Sequence, residues 1–358
     1  MDGKKAMKQC CKLVLAAAAG YGIYVCHGYR RIKDRQPLQI QKGAKQRLLA
    51  VETPYTAVSY NIGFGAYTPE FTFFMDGGRH AVAKSAQSVR RCVKGAGKAA
   101  AKLRPDFVMF QEVDLSATRS HHVNEYDLLN TCFLHYDHMF AVNYDSVYWL
   151  VPPWEPHGKS LSGMALFSAY PLHGAVRRKL PVASGWRKRL DLDRCYTMTS
   201  VSVENGKQCV LFHVHLSAYG HDQTVRRGQV DMLAKEMQRQ RRLGNYVICG
   251  GDFNHDMCQN VEQEEQQHSW AHAFPRQWLP EGFSVAMDTI PKQKQRQMPY
   301  STRKTDIPYD PLHSCQVTVD GFLISDNVIC EEIQVVDTEY QYSDHNPVKL
   351  QFRLRSEK

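Results

Sequence analysis

The sequence predicts one α+β domain over residues 51–358, preceded by a short apolar helix within residues 1–50. Three observations point there. From about Thr53 onward, short apolar runs of strand length alternate with turns. Only two stretches in that region carry a long helical stripe, so helices cover the sheets rather than alternate with every strand. No internal repeat and no low-complexity linker divides the region, and 358 residues suffice for a substantial core.

The elements follow in order. Ala57 to Ile62 reads as a strand. Val82, Ala86, Val89, Val93, Ala96, Ala100 and Leu103 recur at intervals of four and three, one face of a helix that Pro105 stops. Phe107 to Phe110 is an apolar strand that delivers Gln111-Glu112-Val113 at its end. Ser162–Ser168, Tyr196–Val203 and Val210–Leu216 are further strands. A helix from about Asp222 to Leu243 carries Val225, Met232, Leu233 and Met237 on its apolar side, with Gly244 as its cap. Tyr246 to Gly250 is a buried strand. The polar stretch from Gln259 to Gln297 predicts a surface helix and loop, and strands resume at Ser314–Ile324, Val328–Val336 and Val348–Leu354.

The N-terminal segment differs in character. Residues 1–50 hold eleven basic side chains against Asp2 and Asp34, which accounts for the whole formal charge of +9. Residues 51–358 are therefore neutral overall, and lack the broad positive field of a nonspecific duplex-DNA binder. Within the basic segment lies an apolar run, Leu13 to Cys26. As a helix its fourteen residues reach about 21 Å, short of the roughly 30 Å hydrocarbon core. A membrane anchor, a signal-peptide h-region and a core helix are all open, and the lysine cluster before the run favours the first two. The anchor is preferred, with the basic stretch from Arg30 to Arg47 against anionic headgroups and the following domain outside the cell membrane. The eleven cysteines show no CxxC pair and no regular spacing; Cys209, Cys249 and Cys330 fall inside apolar runs and read as small buried hydrophobes.

The chemistry gathers at strand ends. Gly250-Gly251-Asp252-Phe253-Asn254-His255-Asp256 closes a buried strand with two glycines and then four polar heads. A turn alone needs one or two such residues. The same placement recurs at Asn61, Glu112, His215, Asp320, and Asp344 with His345. Any one of these is more often a satisfied core or rim polar group, but turns alone do not explain six spread over the whole domain.

In sequence order, Ser59-Tyr60-Asn61-Ile62, Gln111-Glu112-Val113, Ser162 to Ser168, His215-Leu216-Ser217, Gly251-Asp252-Phe253-Asn254, Thr318 to Phe322 and Ser343 to Val348 resemble the endonuclease/exonuclease/phosphatase superfamily. The run Asp191-Leu192-Asp193-Arg194 and the basic, apolar N-terminus resemble its membrane-anchored bacterial members. The resemblance implies a DNase I-like, four-layer, two-sheet α/β sandwich with the site at one end of the sheets. It also implies a metal-dependent phosphoesterase acting by in-line attack of water, with Mg²⁺ (or Mn²⁺) held by Glu112, Asn61 and Asp344.

In that scheme Asp252 is the base that orients or deprotonates the water, and Asn254 holds the water or a phosphoryl oxygen. His345 and His215 donate to the phosphoryl oxygens, and Asp320 fixes the tautomer of His345 and raises its pKa. His213 either supports the site or is packed; His255 and Asp256 either shape the site or lie on the surface. The substrate is a phospholipid headgroup or a nucleic acid. Phe71, Phe73, Phe74, Tyr148 and Trp149 could meet lipid tails, stack on bases or fill the core. No obligate protein partner is evident. A membrane-tethered binding module of the same fold, without turnover, is the rival of a different class.

Overall fold

The apolar N-terminal run forms the middle of a longer helix, α1 (Asp2–Gly28), in the computed structural model, which describes residues 2–28, 31–182, 192–217, 223–258 and 270–356. Helix α1 is long and apolar enough to cross a membrane, whereas the fourteen-residue run alone was not. Two short strands follow, β1 (Gln36–Pro37) and β2 (Ile40–Gln41), then β3 (Pro54–Asn61). Helix α2 (Ala86–Lys102) starts where Ser85 Oγ accepts from the Ser88 N–H, and its expected stripe, Val89, Val93, Ala96 and Ala100, is buried.

Next come β4 (Phe107–Ala117), α3 (Glu125–Asn130), β5 (Asp137–Asp145), β6 (Ser160–Ser168), β7 (His173–Lys179), β8 (Cys195–Ser202) and β9 (Gln208–His215). Helix α4 (Gln223–Arg242) leads into β10 (Tyr246–Asp252). The chain closes with β11 (Phe283–Val285), β12 (Thr302–Arg303), β13 (Gln316–Val317), β14 (Asp320–Ser325), β15 (Val328–Val335) and β16 (Val348–Leu354).

Ten of these strands sit where the sequence places them or within a few residues. The expected strand Ser314–Ile324 is two, β13 and β14, broken at Thr318-Val319. Of the expected surface helix within Gln259–Gln297, residues 259–269 lie outside the described residues. The remainder supplies an edge strand, β11, and one five-residue helix, Lys292–Arg296. Asp222 and Asp191 also lie outside the described residues.

Fourteen of the strands form two seven-stranded sheets, ordered β1-β7-β8-β9-β10-β14-β11 and β15-β16-β3-β4-β6-β5-β2, and β12 pairs with β13 in a separate two-stranded sheet. Side chains alternate across a strand, so each sheet must bury two faces. Tyr55, Ala57, Phe107, Met109 and Leu166 join Leu211 and Ile248 in the core between the sheets. Their sequence neighbours Val58, Tyr60, Val108, Phe110 and Phe167 pack outward under α2 and α3 with Val89, Val93 and Leu129. Helix α4 covers the outer face of the other sheet with Val230, Leu233 and Met237. The result is the expected order of helix, sheet, sheet and helix. β1 and β2 lie in the basic segment, yet pair with β7 and β5 and so close one edge of each sheet.

Candidate active site

Strand register builds the centre of the site. On the first sheet β9, β10 and β14 are neighbours, and Asp252 lies opposite His215 on one side and Asp320 on the other. Three groups separated by up to 105 positions therefore stand in one row across three strand ends. Asn61 ends β3 of the facing sheet, and its Nδ2 donates to Asp252 Oδ2 (3.1 Å) and to Glu112 Oε1 (3.3 Å). One amide thus links the two sheets at their shared end.

Glu112 reaches this point through an irregularity. The β4–β6 register shifts between Phe110 and Val113, and Glu112 takes a left-handed backbone with φ 53°. A bulge of this kind re-aims a side chain and bends its strand, while a non-glycine residue at positive φ carries strain that the surroundings must hold. Asn254 is the second such residue in the site, at φ 50°. Its N–H donates to Asp252 Oδ1 (2.9 Å) and its Nδ2 to the Leu216 carbonyl (2.9 Å).

His345 enters from the turn before β16. Its Nδ1 meets Asp320 Oδ2 at 2.7 Å, and both side chains are buried. Burial alone would push the pKa of His345 down; the carboxylates of Asp320, Asp344 and Asp252 outweigh it and raise it to about 10. His345 is therefore an imidazolium at neutral pH. His215 behaves oppositely. Burial, then the positive charges of Arg194 and His345, hold its pKa well below the usual range, so it is neutral. Its Nε2 lies 3.5 Å from Asp252 Oδ2 and 3.9 Å from Glu112 Oε1.

Burial and the charge of Asp320 raise Asp252 to about 7, and burial raises Asp344 to about 6, with Glu112 adding to it. The structure thus brings Asn61, Glu112, His215, Asp252, Asn254, Asp320, Asp344 and His345 to one end of the sheets.

Several further side chains support these groups. Ser301 Oγ donates to Asp320 Oδ2 (2.7 Å) and accepts from the N–H groups of Val319 and Asp320. Ser343 Oγ donates to the Asn61 carbonyl (2.8 Å) and accepts from the His345 N–H (3.2 Å), tying the two turns together. Behind Glu112, Arg119 makes two hydrogen bonds to the buried Asp114 and lies on the Phe64 ring, 3.9 Å from its centroid. A serine offers neither metal nor acid–base chemistry, so nothing in the local sequence marks Ser301, whereas Ser343 opens the Ser343 to Val348 stretch.

His213 is fully buried against Gln111 (2.7 Å), in agreement with the packed alternative. His255 and Asp256 are buried as well, and the surface alternative falls. His255 Nδ1 bonds the Phe253 carbonyl, and Asp256 Oδ1 accepts from the Cys258 N–H. Phe71 and Phe73 go to the core with Phe64 and Tyr67. Arg194, from the run that begins at Asp191, is buried just before β8, and its charge acts on His215.

The donor set suits a hard divalent cation. Glu112, Asp252 and Asp344 offer carboxylate oxygens, and Asn61, whose Oδ1 accepts from the Gly63 N–H (3.0 Å), offers an amide oxygen to them only with its amide turned over; the raised values at Asp252 and Asp344 reflect buried negative charge that a cation would offset. Asp252, Asp320 and His345 also present ligand atoms within 4.8 Å of one another. In that trio, however, His345 Nδ1 is already engaged by Asp320, so it reads better as a proton-holding pair beside a carboxylate.

A sequence model of the Endonuclease/Exonuclease/phosphatase family matches residues 58–286, more than half of the chain. The chain belongs to that family. Solved structures agree on the fold. The chain is similar to the human Nocturnin catalytic domain with bound sulfate (18% identity, TM-score 0.55, covering 88% of this chain and 97% of that one). It is also similar to the endonuclease/exonuclease/phosphatase of Bacteroides vulgatus (15%, 0.53, 85% and 100%) and to D. rerio TDP2 complexed with a single-strand DNA product (14%, 0.52, 84% and 100%). No curated protein matches the sequence. The family match and these neighbours establish a DNase I-like fold of the phosphoesterase type.

Proposed function

We propose that this member of the endonuclease/exonuclease/phosphatase family hydrolyses a phosphodiester, in a lipid headgroup or a nucleic acid, by in-line attack of water. The observation that carries this reading is the row His215–Asp252–Asp320 with His345 hydrogen-bonded to its end. The two sides of that row are tuned apart. Asp252, near 7, is placed to accept a proton from water at neutral pH, which is where a general base is most effective. His345 keeps its proton and donates to a phosphoryl oxygen as negative charge accumulates there, with Asp320 holding the ring.

Neutral His215 offers a second donor. Asn254, its backbone pinned by Asp252, positions the water or a phosphoryl oxygen. Mg²⁺ or Mn²⁺ held by Glu112, Asn61 and Asp344 supplies neutralisation of the phosphate charge when bound.

Residues 51–358 carry this chemistry. Residues 1–50 act as anchor and basic juxtamembrane segment, seating the enzyme at the cell membrane with the catalytic domain outside. The anchor favours a lipid substrate, which lies in the same surface. The likeness in fold to TDP2 with its DNA product keeps nucleic acid as the second reading. A tethered binding module without turnover is disfavoured by the complete set of acid, base and donor groups.

The test is hydrolysis of bis-p-nitrophenyl phosphate by the purified chain. The expected result is turnover with Mg²⁺ or Mn²⁺ that excess EDTA abolishes; equal rates with and without EDTA would overturn the reading.

A further inference from the structure

Exposed apolar side chains cluster in one loop between β5 and β6. Tyr148, Leu150, Val151 and Trp154 are 40%, 49%, 53% and 70% exposed within seven residues. Single exposed apolar residues are ordinary, but a contiguous group marks a contact surface. The loop is also where α1 meets the rest of the molecule. The Tyr21 hydroxyl donates to the Tyr148 carbonyl (3.1 Å) and accepts from the Leu150 N–H (3.1 Å), and the Tyr24 hydroxyl accepts from the Tyr148 N–H (3.0 Å). Val25, in the next position, is buried. Upstream, Leu13, Val14 and Leu15 are each about two-thirds exposed.

These contacts set depths. The uncharged run from Leu13 to Cys26 is about 9 Å too short for the hydrocarbon core of a bilayer. Tyrosines two turns from the end of such a helix belong at the membrane–water boundary. Here their hydroxyls are engaged by the backbone of Tyr148 and Leu150, so the loop that carries Leu150, Val151 and Trp154 begins at the level of the tyrosines and adds apolar surface there.

We infer that the 148–154 loop is a second membrane contact, lying in the headgroup–acyl boundary beside α1, and that its occupant is a phospholipid bilayer. The inference rests on the anchor reading above. It goes further in fixing the seat of the catalytic domain. The loop continues into His157, whose ring packs 6.4 Å from Phe64, and Phe64 carries Arg119 behind the Glu112 bulge. The candidate site is therefore held at a set distance from the lipid surface rather than swinging on a tether.

The experiment reconstitutes the full chain into phosphatidylcholine–phosphatidylglycerol vesicles whose acyl chains are brominated, with flotation and tryptophan quenching as readouts. The wild type is expected to float and to be quenched, and Trp154→Phe to lose roughly half or more of that quenching, as for a side chain at the acyl boundary. A second variant, Leu150→Asp with Val151→Asp, is expected to reduce the quenching while hydrolysing bis-p-nitrophenyl phosphate as fast as wild type. Equal quenching of wild type and Trp154→Phe in chains that float overturns this inference alone, and leaves the loop to a protein partner. A chain that stays out of the vesicle fraction overturns the anchor together with it. Trp154-dependent quenching in a chain that cleaves no phosphodiester supports the membrane seat and removes the phosphoesterase reading.

Discussion

Asp320 does its work through its neighbours. It accepts from Ser301 Oγ and meets His345 Nδ1, both at 2.7 Å, and it stands beside Asp252 in the strand register. Replacing it with Asn keeps the shape and removes the charge. In Asp320→Asn the pKa of His345 is expected to fall from about 10 toward or below the usual histidine range, because burial then acts with less opposition. A ¹H–¹⁵N titration of the imidazole reads this directly, and turnover should drop about a hundredfold, the scale of a lost electrostatic donor. An unmoved titration would refute the pairing. The place of Asp320 among the candidate site residues was legible in the sequence through the order of motifs around it. Ser301 was not, because a serine nineteen positions upstream in a polar stretch carries no pattern that points to a carboxylate across the fold.

Strand β10 shows what the element must tolerate to present its end. Gly251 has φ 149°, and a Cβ there would meet the Val214 carbonyl oxygen at 2.0 Å. No side chain rearrangement relieves a clash with neighbouring backbone. Gly251→Ala is therefore expected to cost about 3 kcal/mol or more, as severe backbone effects do, measurable by urea unfolding; a midpoint equal to wild type would contradict the close β9–β10 approach. Gly250 and Gly251 belong to strand packing, and the polar heads after them to the site and its turn.

Strand β5 offers a second test at this scale. Asp137 accepts from the Gly43, Ala44 and Leu172 N–H groups and from Lys42 Nζ, and so staples residues 42–44 to the sheet edge. Burial pushes its pKa up, but these donors outweigh it and the net shift is downward. A lowered folded value means that its stabilisation is present above the unfolded pKa, about 4, and is lost as pH falls through the folded one. Asp137→Ala should cost about 2–3 kcal/mol at pH 7, and the gap to wild type should narrow below about pH 4. A gap independent of pH would argue against the charged staple. β5 and β7 went unseen in the sequence for a shared reason. Their partly exposed faces carry His138, Arg178 and Lys179, and β7 also buries the charged Arg177, so neither forms the continuous apolar run that marks a doubly covered strand such as β10.

At the scale of the whole molecule, two sheets meet at one end through Asn61, while α1 leaves the body past the 148–150 backbone. Deleting residues 2–28 removes the helix but keeps β1 and β2 on their sheets. That truncation is expected to lose most of its membrane association while retaining hydrolysis of a soluble diester; membrane association equal to that of the full chain would contradict the anchor. The sheet-and-helix order was readable because core strands are apolar and helices striped. The way residues 36–41 close both sheets was not, since two-residue edge strands have no periodicity to read.

The central claim is that distant strand ends form one hydrolytic centre around Glu112 and its neighbours. The most direct measurement compares bis-p-nitrophenyl phosphate turnover in Mg²⁺ for wild type and Glu112→Gln, with thermal unfolding as the control for folding. Glu112 is part exposed at its bulge and bonded to Asn61 and near His215, so the isosteric amide should fold normally. The account predicts a loss of about a hundredfold or more at an unchanged melting temperature. Near-wild-type turnover in a folded Glu112→Gln protein would contradict it.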